Sequence, residues 1–193
     1  MLTTLAKLRE RAGLNTATTD DAILTAYAAA AQNLFEAYCS RKFDRTVDAA
    51  FVFAGDRVEI VLDRYPVENI GAIATRDNAA AAWVAQSGLL YEVDAAAGIL
   101  SLSGPLGSRW MKCQVLYTGG YVLPGATAEA GQTALPADLE SACLDQVAYW
   151  YQNRHSLRIA DLDGKTSPTR GDKSTALLPV VEEILKGYKR ILV

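Results

Sequence analysis

The chain has 193 residues, of which half are apolar and 21% are charged, so it has enough apolar material for one globular domain with a real core. The 19 basic and 22 acidic residues give a net charge of −3, which excludes a uniformly basic nucleic-acid binder and a wholly disordered chain. The sequence contains no apolar run of 18 residues and no signal-peptide pattern at its start. We therefore expect a protein made in the cytoplasm, without a membrane segment.

Helical patterns open the chain. Residues 4–12 predict a short helix that ends at Gly13, and the Thr and Asp side chains of residues 18–21 favour the start of a second helix. Apolar residues then recur at helical spacing as far as Cys39, namely Ile23, Tyr27, Ala31, Leu34 and Tyr38. Residues 28–31 have almost no side-chain bulk, so another backbone can approach closely there. The candidate residues for a subunit interface are Ala28, Ala30 and Ala31.

The apolar period changes to two from Val47, which predicts strands. Residues 51–53 and 58–63 predict a hairpin with its turn at residues 54–57. Further strands are predicted at residues 70–75, 89–93, 99–102 and 112–117. Because the connections are too short for crossover helices, the middle of the chain predicts a small antiparallel sheet.

The last part of the chain again predicts helices. Pro136 lies at a predicted helix start, where proline is tolerated. A stripe of apolar residues follows it, namely Leu139, Cys143, Val147 and Trp150. Residues 156–175 are polar and predict a flexible segment, whereas residues 179–192 regain helical spacing. The predicted fold is α+β, with N-terminal helices and a long C-terminal helix packed with the sheet. The predicted division is a domain of residues 1–155 and an arm of residues 156–193.

Residues suited to catalysis or to ligand binding are scarce. His155 is the only histidine, and a predicted helix end favours a cation there for structural reasons. The Gly-Lys-Thr of residues 164–166 lacks the earlier glycine of a phosphate-binding loop, and residues 161–164 lack the ligand spacing of a calcium loop. The three cysteines are far apart and form no zinc or disulfide pattern. We predict no catalytic residue, no metal and no cofactor.

Four segments, read in order, resemble the head–tail connector proteins of tailed bacteriophages, also called adaptor or head completion proteins. The segments are residues 19–24 with the helix leading to 36–43, residues 62–70 with their Tyr-Pro-Val, residues 91–94 with 98–100, and residues 115–121 with 135–139. The match covers about residues 1–155. The resemblance implies a structural protein and no enzyme: a ring, in the family usually a dodecamer, that lies under the portal, joins the DNA-filled head to the tail and extends the DNA channel.

The same resemblance implies the partners and the location. The partners are other copies of the chain, the portal protein, a tail or further neck protein, and double-stranded DNA that passes without sequence-specific binding. The location is the head–tail junction of the virion, after synthesis in the bacterial host cytoplasm. The C-terminal arm is expected to dock on the portal or on a neighbouring copy, and its candidate residues are Val180, Ile184, Leu185, Tyr188, Lys189 and Arg190.

Charge is divided unevenly along the chain. Residues 1–153 carry 11 basic and 17 acidic residues, whereas residues 154–193 carry 8 basic and 5 acidic residues. An acidic body suits a channel wall, because a basic wall would retain the DNA phosphates. Two alternatives remain open from the sequence. One is a DNA-binding assembly factor that uses the basic tail, and the other is a small cytoplasmic ligand-binding domain or enzyme.

Overall fold

A computed structural model describes residues 1–14, 18–78, 80–154 and 177–190. Within these ranges the chain has four helices and nine strands, and the strands pair mainly antiparallel, so the predicted α+β class is confirmed. The structure separates into two compact units. Of the described residues, those within Met1–Cys39 and Leu135–Lys189 form the helical unit, and those within Ser40–Ala134, with Arg190, form the sheet unit.

This division differs from the predicted one of residues 1–155 and 156–193. The last helix contributes buried side chains to the helical unit, and the sheet is an insertion between the second and third helices. Linear order along the chain did not indicate this, because the halves of the helical unit are far apart in sequence. The polar segment of residues 156–175 and His155 lie outside the described residues.

The helical unit contains four helices: α1 (Leu5–Arg11), α2 (Asp21–Cys39), α3 (Ala137–Gln152) and α4 (Pro179–Lys186). Thr4 caps α1, since its hydroxyl accepts a hydrogen bond from the Lys7 amide at 3.5 Å. Gly13 follows α1 with φ of 75°, as expected for the residue after a helix end. Proline is tolerated at the start of α4 because its missing amide hydrogen has no partner to lose there.

The core of the helical unit is formed along α2, α3 and α4. On α3 the predicted apolar stripe is buried, which confirms that prediction. On α2 the predicted stripe is displaced by one residue. Ile23 is 39% exposed, whereas the fully buried apolar residues are Leu24, Ala28, Ala31, Phe35 and Cys39. The two stripes are adjacent on the helix, and the one with Phe35 is buried while Tyr27 and Tyr38 remain at its margin.

The sheet unit contains two antiparallel sheets and one short parallel pair. The strands are β1 (Thr46–Ala54), β2 (Glu59–Val61), β3 (Val67–Arg76), β4 (Val84–Ala85), β5 (Tyr91–Asp94), β6 (Ile99–Leu102), β7 (Lys112–Gly119), β8 (Tyr121–Val122) and β9 (Thr133–Ala134). Their order is β1-β7-β3-β4 in the larger sheet and β2-β6-β5 in the smaller one, and β8 pairs with β9. Buried apolar side chains from both antiparallel sheets form one cluster.

The predicted hairpin of residues 51–63 is wrong. Strand β1 pairs with β7 and β2 pairs with β6, so the two strands belong to different sheets. The reason lies at Gly55, whose amide donates to the Met111 carbonyl at 2.9 Å while its own carbonyl accepts from the amides of Leu106 and Gly107. These bonds hold the turn against a distant loop, and the chain leaves it toward a second sheet.

Candidate assembly surfaces

The parts of the resemblance segments that lie in the sheet unit meet in space around Arg41. Arg41 is 3% exposed, and its guanidinium lies 3.3 Å from the centroid of the Tyr65 ring. The guanidinium also lies within 5.4 Å of the centroids of Phe43 and Tyr121, and it donates a hydrogen bond to the Tyr65 carbonyl. A buried cation needs such contacts to offset its lost hydration. We call this cluster the Arg41 joint; it contains Arg41, Phe43, Tyr65 and Tyr121.

Glycines allow the backbone to approach this joint closely. Gly120 has φ of 102°, and a Cβ there would lie 2.5 Å from the Asp44 carbonyl oxygen. Gly98 has φ of 71°, and a Cβ there would lie 2.7 Å from the Tyr65 side chain. Both positions therefore require glycine for conformation and for space. The motif glycines serve packing of the fold.

A buried tyrosine connects two of the same segments. The Tyr117 hydroxyl donates to the Asp63 carboxylate and accepts from the Arg64 amide at 3.0 Å. Burial raises the pKa of Tyr117, and the hydrogen bond to Asp63 raises it further, so the phenol stays protonated. This group is a structural link and offers no acid or base near neutral pH.

The three candidate interface alanines do not share one environment. Ala28 and Ala31 are fully buried in the core of the helical unit, where their small side chains let neighbouring helices pack closely. Ala30 lies on the exposed face of α2 beside Ala29. Only Ala30 of the three is therefore accessible to another subunit.

The candidate docking residues of α4 are also divided. Leu185 is fully buried in the helical unit, as is Val181, which the sequence analysis missed. Ile184 is half-buried, whereas Val180 is 68% exposed. A repeat of branched residues at 180, 181, 184 and 185 allows two adjacent stripes, and the sequence did not show which one faces the chain's own core.

The residues at the end of this segment contact the chain itself. The Tyr188 hydroxyl donates to the Asp138 carboxylate at 2.8 Å, and Lys189 lies 4.3 Å from the centroid of the Tyr38 ring. Arg190 belongs to the sheet unit, where it donates to the Val61 carbonyl and lies over a phenylalanine ring. Of the six docking candidates, Val180 is the large apolar residue that the fold leaves exposed.

Sequence reasoning missed the most exposed large apolar residue of the described chain. Trp110 is 78% exposed and lies in the loop of residues 103–111, which we call the Trp110 loop. The Arg109 guanidinium lies 5.3 Å from the centroid of the indole ring. The available signal was an Arg-Trp pair in a turn rich in Gly, Ser and Pro, because tryptophan is rarely placed in water without a partner.

A concave apolar surface lies in the helical unit between α3 and α4, and we call it the α4 groove. It is a cavity of about 520 Å³ that is open to solvent. Its walls include Ala148, Tyr149, Leu178, Pro179 and Val180. Asp145 lies at its rim, where the carboxylate binds the Arg11 guanidinium. The groove is fixed in part by the Leu178 amide, which donates to the buried side chain of Gln146 at 3.0 Å.

Side chains suited to catalysis or metal binding are sparse in the described ranges. These ranges contain no cluster of His, Cys, Asp and Glu that could hold a metal ion, and none of their helices is long and apolar enough to cross a membrane. The three cysteines are buried and form no disulfide, and burial raises the pKa of Cys143 to about 12. The exposed Trp110 and the apolar α4 groove are surfaces suited to protein contacts.

Comparison with known proteins identifies a matching family and two similar solved structures. A family model described as "Head completion protein (HCP)" matches residues 1–191. A chain in a structure titled "Neck of empty GTA particle computed with C6 symmetry" is similar with a TM-score of 0.61 at 19% identity, over 98% of this chain and 90% of that one. A chain from "Virion of native gene transfer agent (GTA) particle" is similar with a TM-score of 0.58 at 19% identity and the same coverage. No curated protein sequence matches this chain.

Proposed function

This chain belongs to the head completion protein family, and we propose that its copies form a ring in the neck of the particle. As a member of that family, the chain is a structural protein of a phage-like virion and not an enzyme. The ring lies under the portal, joins the DNA-filled head to the tail and extends the DNA channel. The family match over residues 1–191 is the observation that carries this proposal.

The symmetry of the neck assembly supports a ring. The similar chain comes from a neck computed with C6 symmetry, and the fold likeness extends over almost the whole of both chains. A closed ring with this symmetry has a multiple of six copies, and the resemblance to connector proteins favours twelve. The partners in this proposal are the portal on one side and a tail or further neck protein on the other.

Charge supports a channel that DNA passes without being held. The described part of the helical unit carries 6 basic and 9 acidic residues, and the sheet unit with Arg190 carries 9 basic and 10 acidic residues. Four of those sheet-unit cations are occupied within the fold: Arg41 lies in its joint, Arg45 binds Glu68, Arg64 lies near Asp44 and Asp63, and Arg190 binds a carbonyl. A surface of this balance gives phosphates little net attraction.

Docking of the C-terminal helix on another protein must use its outer face. Burial of Val181 and Leu185 ties α4 to its own chain, so the contact with the portal or a neighbour is proposed for Val180 and the exposed residues beside it. Ala30 on the exposed face of α2 remains the proposed interface residue of that helix.

Class-averaged electron micrographs of the purified protein, over a range of concentrations, test the ring. We expect closed rings with a central opening wide enough for duplex DNA. A parallel titration with a fluorescent duplex separates the DNA-binding alternative, which requires an affinity that falls steeply with salt. Monomers at every concentration, together with strong salt-dependent binding of the duplex, would contradict the proposal.

A further inference from the structure

The Trp110 loop is held in place although its tryptophan is exposed. The amides of Leu106 and Gly107 donate to the Gly55 carbonyl at 2.9 and 3.0 Å, and the Met111 amide donates to the Ser108 carbonyl at 3.0 Å. Leu106 packs partly against the core of the sheet unit. A loop anchored in this way presents Trp110 with little remaining conformational freedom, which lowers the entropy cost of a contact.

The composition of this surface is that of a binding anchor. Tryptophan and arginine are the residues most enriched at the energetic centres of protein interfaces, and Arg109 and Trp110 are neighbours here. Loops and strand ends around it add further cations, since Arg76 and Ala54 both pair with Lys112 in the sheet register. The charged residues in the strand ends and loops at this end of the larger sheet include Arg57, Arg109 and Lys112 against Asp56, Glu59 and Asp77, and the Arg76 guanidinium lies 4.4 Å from the centroid of the Trp83 ring. The surface that receives it should therefore be apolar with acidic neighbours.

The α4 groove has these properties. Its apolar wall includes Val180, which is 68% exposed, and its volume of about 520 Å³ accepts an indole ring. Asp145 lines the groove with one carboxylate oxygen on Arg11. Beyond the lining residue Val181, α4 exposes Glu182, which accepts from the Tyr38 hydroxyl, and Glu183, which accepts from Lys186. The helical unit as described has an acidic excess, which complements the cations around Trp110.

We propose that the Trp110 loop of one copy docks into the α4 groove of the next copy, with Trp110 against Val180 and Tyr149 and with Arg109 near Asp145. This inference rests on the proposed ring. A closed ring of identical subunits requires a heterologous contact, in which two different surfaces of the same chain meet. An exposed aromatic anchor in one unit and an apolar groove in the other form such a pair.

Disulfide trapping with Trp110→Cys and Val180→Cys tests the contact directly. The native cysteines do not interfere, because all three are buried and burial raises the pKa of Cys113 and Cys143. Under mild oxidation we expect the double variant to give a ladder of covalent oligomers on a non-reducing gel. Each single variant should give dimers at most, since a head-to-tail chain needs both cysteines in every copy.

Leu90→Cys combined with Val180→Cys is the matched control, because Leu90 is 75% exposed in the same unit. This pair should give no ladder. In sedimentation, Trp110→Ala should weaken assembly at least about tenfold and Leu90→Ala less than about threefold, as expected for an anchor residue against its surroundings. At concentrations too low for assembly, both variants should keep the wild-type melting temperature, since neither side chain contributes to the core.

The outcomes separate this contact from the ring itself. Rings that form normally in Trp110→Ala, with no ladder from the cysteine pair, would overturn the contact and leave the ring in place. Absence of rings in the wild-type protein, with no ladder, would overturn both. Loss of duplex binding in Trp110→Ala with assembly unchanged would assign the loop to DNA and would also overturn the contact.

Discussion

The Arg41 joint and the Trp110 loop both pair an arginine with aromatic rings, but they differ in exposure. In the joint the cation is 3% exposed and lies among rings of its own unit, whereas in the loop Trp110 is 78% exposed and Arg109 is also in solvent. The joint collects the sheet-unit parts of the segments that carry the family resemblance. Those parts therefore describe how the sheet unit folds, whereas the exposed Trp110 and Val180 lie in parts of the sequence that carry no motif.

The largest expected effect is at α2, where buried and exposed alanines are neighbours. Ala31→Trp forces a large ring into a fully closed site, so we expect the helical unit to lose its cooperative unfolding transition. Ala30→Trp is the matched control, and it should remain folded because its side chain points to solvent. Circular dichroism with sedimentation distinguishes the two. Equal stability of the two variants would contradict the burial of Ala31 and the exposure of Ala30.

The next effect tests whether the joint needs its glycines. Gly120→Ala should destabilise the sheet unit by more than about 3 kcal/mol, because the left-handed backbone costs about 1–2 kcal/mol and the new Cβ meets a carbonyl. Gly88→Ala is the control: φ is 72° and nothing lies within 4 Å of the added Cβ, so the cost should be about 1 kcal/mol. Urea titrations measure both values. A difference under about 1 kcal/mol would mean that the joint is loosely packed.

How far the sequence predicts the structure depends on how many residues compete for one face. Helix α3 has one main apolar stripe, and its predicted burial is confirmed. On α2 and α4, apolar residues occupy adjacent stripes, so the choice between Ile23 and Leu24, or between Val180 and Val181, depends on neighbours that local spacing does not contain. The hairpin failed for the same reason, because the partner of Gly55 is about 50 residues away.

The candidate assembly surfaces could be predicted from the sequence less well than the fold could. Small residues at 28–31 indicated close packing, but such packing occurs equally inside one chain and between two chains. Trp110 carries no periodic signal, and only its exposure of 78% sets it apart from the buried Trp150. The α4 groove is formed by residues from distant segments, so no single stretch of sequence indicates it.

A smaller effect tests which stripe of α4 belongs to the core. Leu185→Ala should destabilise the protein by about 2–5 kcal/mol, because it leaves a cavity at a fully buried site. Val180→Ala should change stability by less than about 0.5 kcal/mol, because the side chain is 68% exposed. Thermal melts of the isolated protein report both. A reversed order would mean that Val180 packs in the subunit core and that α4 leaves no free apolar face.

The smallest effect concerns the ion pair between α1 and α2. The hydrogen bond from the Arg9 guanidinium lowers the pKa of Asp21, so the pair stabilises the fold above the ordinary carboxyl range and is lost as the pH falls through the lowered value. Asp21→Asn should therefore be less stable than the wild type at pH 7, and the difference should shrink in acid. Urea titrations at pH 7 and pH 3 check the sign. A difference that grows in acid would contradict the assignment.

A cryo-electron microscopy reconstruction of the neck of the assembled particle tests the central claim most directly. We predict a closed ring of this chain between head and tail, in which each Arg41 joint is enclosed within its own subunit and each Trp110 loop contacts the following copy. A neck that lacks this chain, or that holds it as separate copies without mutual contacts, would contradict the account.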